Sequence, residues 1–330
     1  MEGIGGYFEL EGLPPAIIGN ACGFQSARAA LSTLLTSNDF NSAAIPRFLC
    51  DTVRDELERV GISVREYDLE RDMSASRALK PEANEAVIIV NYFGLCRAQV
   101  DATLARLPRQ QCVVDNSQAF FESPSDCLGT VYSPRKFFGL PDGGLLYTSS
   151  YVELPERADS DSASRCQHLL HRLAGAPEDG LSVYHRAEAS LSGVPAARMS
   201  TLTARLLASV DTESARAQRI RNFEAVHELV GPLNHFCIPE EFCGPLTYPL
   251  QLVEIDAVAL RSAFIEAGIF SPTYWGERLA LGARSSDNEQ AAMLAASIVH
   301  IPIDQRYAAK TITLRLRDVP ALKRRMEAKA

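Results

Sequence analysis

The sequence has no apolar run near the ~18 residues needed to cross a bilayer, so no membrane span is expected. It also lacks an excess of basic residues. Its 33 Lys and Arg against 41 Asp and Glu leave a formal charge of -8, which argues against a broad nucleic-acid-binding face. The opening MEGIGGYFELEG has no basic region followed by an apolar core, so no secretory signal is expected and a cytoplasmic location follows. Eight cysteines are scattered without CxxC spacing or a disulfide framework, and Cys237 and Cys243 stand without further ligands. They read as free thiols, and because the histidines show no ligand spacing no metal is expected. No GxGxxG follows the first strand and no GxxxxGK[ST] occurs, which disfavours a dinucleotide fold or a phosphate-loop nucleotidase. There is no internal repeat or low-complexity tail.

What is present suits a globular chain: 330 residues, 46% hydrophobic and 22% charged, enough for a large core and a smaller second one. A short strand is expected near Tyr7 to Leu10, and Pro14-Pro15 prevents an early long helix. Ser26 can cap a helix starting at Ala27, with small residues that let an anion approach its free N–H groups. Val53, Leu57 and Val60 share a helical face, Gly61 ends that helix, and ISVREYDL alternates as a strand. Residues 71–84 are expected to form a helix and loop. Val87 to Tyr92 suits a buried parallel strand, 98–107 a helix, and Cys112 to Asp115 the next strand. Alternating strands and helices imply an α/β layer fold with ligands beyond the carboxyl ends of strands. Glu213 to Val230 reads as a long helix. A domain transition is placed near residue 215, dividing 1–215 from 216–330, with later strands at 246–254 and 298–303 and a helix at 256–267.

The stretch from 111 to 148 concentrates the chemistry. A strand ends in Asp115, Gln118 follows, a second strand runs through Val131 and Tyr132, and a loop presents Lys136 before Gly143-Gly144. A buried lysine can be a Schiff-base nucleophile, and a carboxylate can keep a heteroaromatic nitrogen protonated. Together they fit pyridoxal phosphate, with the phosphate at the helix opening near Ser26. Taken alone, Asp115 is equally a loop acid and Lys136 a surface lysine.

Several segments, in order, resemble the DegT/DnrJ/EryC1/StrS-like pyridoxal-phosphate-dependent aminotransferases that act on nucleotide-linked keto-sugars. The resemblance covers about residues 20–310. QSARAAL resembles the family's phosphate segment, and IPRFLCDTV with GISVREYDL its second strand–helix–strand unit. DNSQAFF resembles its Asp–xx–Gln element, VYSPRKFFGLPDGG its lysine loop, RNF at 221–223 its Arg–Asn element, and IPIDQRY a late strand and turn. The resemblance implies an α/β fold of type I, with a three-layer large domain on a mostly parallel sheet and a smaller C-terminal α+β domain. It implies that Lys136 holds the cofactor aldehyde and shuttles the substrate proton, that Asp115 pairs with the ring nitrogen, and that Gln118 meets the ring oxygen. Ala27 and Arg28 would contact the phosphate through backbone groups, with a charged phosphate contact or a salt bridge as equal alternatives for the Arg28 side chain. Asn222 would reach the phosphate of the other subunit, giving a homodimer with shared sites. An amino acid, glutamate or glutamine, would load the cofactor as pyridoxamine phosphate, and a keto-sugar or related keto substrate would receive the amino group.

The chain departs from that pattern at several positions. Ala27-Arg28 stands for Gly-Thr, removing a hydroxyl. Cys50 falls where an aromatic ring packs on the cofactor, which leaves Phe48 or Tyr92 as the stacking surface. Val131 replaces a serine, with Ser133 as an alternative phosphate donor. Tyr92, His185, Trp275, Arg306 and Tyr307 are candidate substrate contacts. Retention of Lys136 argues against the sugar-dehydratase branch, in which histidine replaces it. Other lysine-dependent elimination or lyase chemistry and a non-catalytic homologue are the alternatives.

Overall fold

The structure is a computed structural model that describes residues 12–329 apart from 17, 177, 253–255 and 277–288. The expected strand near Tyr7 lies outside the described residues, as do the last residues of the 246–254 segment. The core is a seven-stranded sheet in the order β1-β7-β6-β5-β4-β2-β3. Its strands are β1 (Cys22–Phe24), β2 (Ser42–Pro46), β3 (Ser63–Tyr67), β4 (Glu85–Val90), β5 (Cys112–Asp115), β6 (Gly129–Tyr132) and β7 (Gly144–Tyr147). The five strands from β3 to β6 pair in parallel, while β7 runs antiparallel to β6 and β1 antiparallel to β7. EAVIIV forms β4, buried at every position, as expected of a strand covered on both faces.

Helices supply three of the parallel crossovers, and the β5–β6 connection is a loop. α1 (Ala27–Ser37) joins β1 to β2, α2 (Asp51–Arg59) joins β2 to β3, and α3 (Arg97–Leu104) joins β4 to β5. The β3–β4 crossover differs from the expected helix at 71–84: it is a run of turns. Asp72 accepts from the backbone N and hydroxyl of Ser74, and Met73 adopts φ 70°. Arg106 then fastens the loop through the carbonyls of Ala75, Ser76 and Leu79. A segment with turn-forming side chains and no apolar period gains more from these bonds than from a helix.

Beyond β7 come α4 (Ser162–Arg165), α5 (Gln167–Leu173), α6 (Leu181–Ala189), α7 (Thr201–Ala208) and the long α8 (Thr212–Val230). Residue 215, where the transition was placed, falls inside α8, which carries Phe223, Val226 and Val230 against the last part of the chain. There β8 (Thr247–Gln251) pairs antiparallel with β9 (Ile298–Pro302), and α9 (Ala257–Glu266) packs beside them. Arg219 of α8 bridges the two sheets. It is buried, donates to the carbonyls of Pro245 and Leu246, bonds Gln305, and lies 4.7 Å from the Phe137 ring centroid. Gln305 in turn donates to the Phe137 carbonyl at 2.7 Å. The residue after Lys136 is thus held from the second sheet.

Candidate active site

Asp115, the last residue of β5, pairs in register with Val131 of β6, so it sits at the carboxyl edge of the parallel strands. Its Oδ1 accepts from the Ser117 backbone N at 2.8 Å, which turns the chain and fixes the carboxylate. β6 then runs through the buried Ser133 into a 3-10 turn, Pro134–Lys136, which delivers Lys136. Gln118 is buried, and its Oε1 accepts from the Phe93 backbone N at 2.9 Å. That donor fixes the amide orientation and leaves Nε2 buried without a partner. An unmet buried donor costs about 1–3 kcal/mol, so it marks where an acceptor is missing.

The opposite wall is the start of α1. Ser26 caps the helix by accepting from Ala29 N at 3.1 Å. No acidic residue lies in the first turn, so the positive end of the helix is not neutralised from within. Gly144 permits the approach of this helix to the lysine loop. A Cβ there would stand 2.2 Å from the Ser26 carbonyl carbon.

These elements enclose a cavity of about 530 Å³. Ser26, Ala27, Arg28, Cys50, Asp115, Gln118, Ser133, Lys136 and Trp275 all line it. Lys136 is exposed toward this cavity, whose walls are protein. Burial pushes its pKa down, and Asp115 opposes that shift. A second hollow, of about 550 Å³ between α9 and the helix Pro320–Lys329, lies away from the strand ends and contains none of the orphaned polar atoms.

The remaining candidates lie elsewhere. Phe48 and Tyr92 are buried behind the cavity: their ring centroids are 4.4 Å and 5.6 Å from that of Trp275, and the Tyr92 hydroxyl donates to the Phe48 carbonyl. Trp275 adopts φ 53°, a strained conformation for a bulky residue, supported by these rings. Asn222 is fully buried, and its amide donates to the carbonyls of Ile303, Asp304 and Tyr307. Arg306 pairs with Asp304 at 2.7 Å, and the Tyr307 hydroxyl accepts from Arg172. His185 lies on α6 beside Tyr184, and neither it, Arg306 nor Tyr307 lines the cavity.

Sequence reasoning passed over Arg135, Glu188, Ser192 and Tyr274, which also line the cavity. Arg135 forms an ion pair with Glu188 that fastens α6 to the lysine loop. Adjacency to Lys136 was the available signal for Arg135. Tyr274 likewise adjoins Trp275, whereas Glu188 and Ser192 come from a distant segment with no chemical pattern of its own.

No family model matches the sequence, and no curated protein matches it. Solved structures do match the fold. The Streptococcus pneumoniae protein Spr1654, named as a sugar aminotransferase and solved in its PMP form, is 12% identical with TM-score 0.65, over 93% of this chain and 88% of that one. DesI, solved with its TDP-sugar product, is 17% identical with TM-score 0.62, over 94% and 83%. A DegT DnrJ EryC1 StrS aminotransferase from Brucella abortus is 16% identical with TM-score 0.60, over 90% and 85%. The mostly parallel seven-stranded sheet with its helices is the α/β fold of these matched structures.

Proposed function

We propose that the protein is a pyridoxal-phosphate-dependent aminotransferase that moves an amino group from an amino acid, glutamate or glutamine, to a keto-sugar or related keto substrate. The observation that carries this reading is the convergence of Lys136, Asp115 and the unpartnered Gln118 amide in one cavity against the opening of α1. The donor set fits the cofactor. Lys136 Nζ would hold the aldehyde, Asp115 would face the ring nitrogen, Gln118 Nε2 would donate to the ring oxygen, and α1 would receive the phosphate. Matching solved proteins include a PMP form and a complex with a TDP-sugar product, which supports both the cofactor and the substrate class.

When bound, pyridoxal phosphate supplies an electron sink for bonds around an amino-bearing carbon. Lys136 carries the proton. Its lowered pKa leaves more neutral amine near neutral pH, so the amine would take a proton from the amino-bearing substrate carbon and deliver it across the nitrogen to the former aldehyde carbon. The Asp115 carboxylate would hold positive charge at the site, and Trp275, backed by Phe48 and Tyr92, would help exclude water. A cytoplasmic homodimer is part of the same reading. Among the described residues no helix is long and apolar enough to cross a membrane.

The test is cofactor loading followed by amino-donor addition. Wild-type protein should develop the absorbance of a lysine-bound aldehyde, which borohydride fixes covalently, and glutamate or glutamine should discharge it. Lys136→Ala should abolish the fixed bond. A reducible bond that persists in that variant removes Lys136 from this role, and a wild type that never forms one defeats the cofactor assignment.

A further inference from the structure

Arg28 lines the cavity at the second position of α1. Among the described residues no carboxylate lies within ion-pairing distance of it. Its guanidinium instead makes two long contacts, Nη1 to Ser192 Oγ at 3.3 Å and Nη2 to the Leu191 carbonyl at 3.4 Å. Both contacts come from the turn that follows α6, and α6 is tied to the lysine loop by Arg135 and Glu188. The charge is costly as it stands: burial, and then Arg135, hold the Arg28 pKa below its ordinary value. A half-buried cation beside a second cation, at the positive end of a helix without first-turn acids, lacks an anion. A separate observation in the same cavity points to a missing acceptor: Gln118 lines it, and its buried Nε2 has no partner. The residue expected to supply phosphate contacts from a second subunit, Asn222, has its amide hydrogens engaged by carbonyls of its own chain.

We infer that the Arg28 side chain is the principal charged ligand of the cofactor's phosphate, clamped over it from within the same chain by the Leu191–Ser192 turn. The inference rests on the cofactor reading above. The planar fork suits two phosphate oxygens at once, which a hydroxyl in the same position does not. Arg28 and the turn that clamps it belong to the same chain.

The sole tryptophan, Trp275, lines the cavity and reports occupancy by fluorescence. Cofactor-free protein is titrated with pyridoxal phosphate and with pyridoxal, which lacks the phosphate. Wild type should prefer the phosphorylated aldehyde strongly. Arg28→Gln should weaken pyridoxal phosphate on the order of 10- to 100-fold and leave pyridoxal within about twofold, so the preference collapses. Arg28→Lys should fall between, because it keeps the charge and loses the fork. Asn222→Ala should leave the preference unchanged. An unaltered preference in Arg28→Gln, or its collapse in Asn222→Ala alone, overturns the inference. Should Arg28→Gln fail to fold by circular dichroism, Arg28→Lys decides, and a wild-type preference there overturns it. A wild type that forms no reducible bond with either aldehyde fails at the cofactor assignment instead, which separates the two failures.

Discussion

A lysine set in a protein-walled cavity holds its proton less firmly than in water. Lys136 is in that position, with burial as the larger influence and Asp115 the smaller, opposing one. The consequence for stability has a definite sign. Because the folded-state pKa lies below the ordinary lysine value of 10.5, the unfolded chain binds more protons between the two values. Stability therefore rises with pH through that window, and below it the folded protein carries a constant penalty. Lys136→Met, which keeps the length and removes the charge, should raise the melting temperature of cofactor-free protein at pH 7. The advantage should shrink as pH approaches 10.5. Melting curves across that range check it, and a variant less stable than wild type at pH 7 would show that the ammonium group is well solvated. Asp142 shows the opposite treatment of a buried charge. It is fully buried yet bonded by Ser162, Thr203 and Arg165, so the loop after Lys136 is anchored by a satisfied network.

The packing of α1 against β7 turns these residues into a site. The closest atoms to a Cβ at Gly144 are backbone atoms of Ser26 and Ala27, at 2.2 and 2.4 Å, so no side-chain rotation can relieve the contact. Gly144→Ala should push α1 away from the lysine loop, cost roughly 1–3 kcal/mol by denaturant unfolding, and weaken pyridoxal phosphate binding. Gly139→Ala is the control, since its nearest neighbour would be at an ordinary 3.7 Å. Equal behaviour of the two variants would refute the packing argument. Much at this scale was legible in the sequence. The apolar run of β4, the Ser26 cap, the α2 face ending at Gly61 and the long α8 follow from local pattern. The three-residue β1 did not, because it is too short to show a period and is defined by pairing with β7. Neither did the turns at 71–84, which are stabilised by Arg106 from outside the segment. The site divides in the same way. Asp115, Gln118 and Lys136 share one short stretch and meet in one cavity, whereas Glu188 and Ser192 arrive on α6 and its turn from more than fifty residues away. Asn222 stands in a recognisable segment, yet only the fold reveals which carbonyls its amide meets.

At the scale of the whole molecule, α5 and α6 place apolar side chains in solvent close to the cavity. Leu170 and Leu173 lie one turn apart on α5, with Leu173 85% exposed, and Leu181 and Tyr184 repeat the spacing on α6. The helices pack together, and α6 also carries Glu188 at the cavity wall. An apolar face of this kind loses unfavourable contact with water when a second copy covers it. It is the surface on which the proposed homodimer is expected to form. Leu170→Glu with Leu173→Glu should convert the dimer to a monomer by light scattering at micromolar concentration, because association would bury two charges per chain. A wild type that is already monomeric, or a double variant that remains dimeric, removes this face from the assembly. The same variant joins the scales. The clamp of Arg28 by Leu191 and Ser192 lies within one chain, so the monomer should keep the wild-type preference for pyridoxal phosphate over pyridoxal. If the preference disappears with the dimer while Arg28 is intact, phosphate binding depends on the second copy.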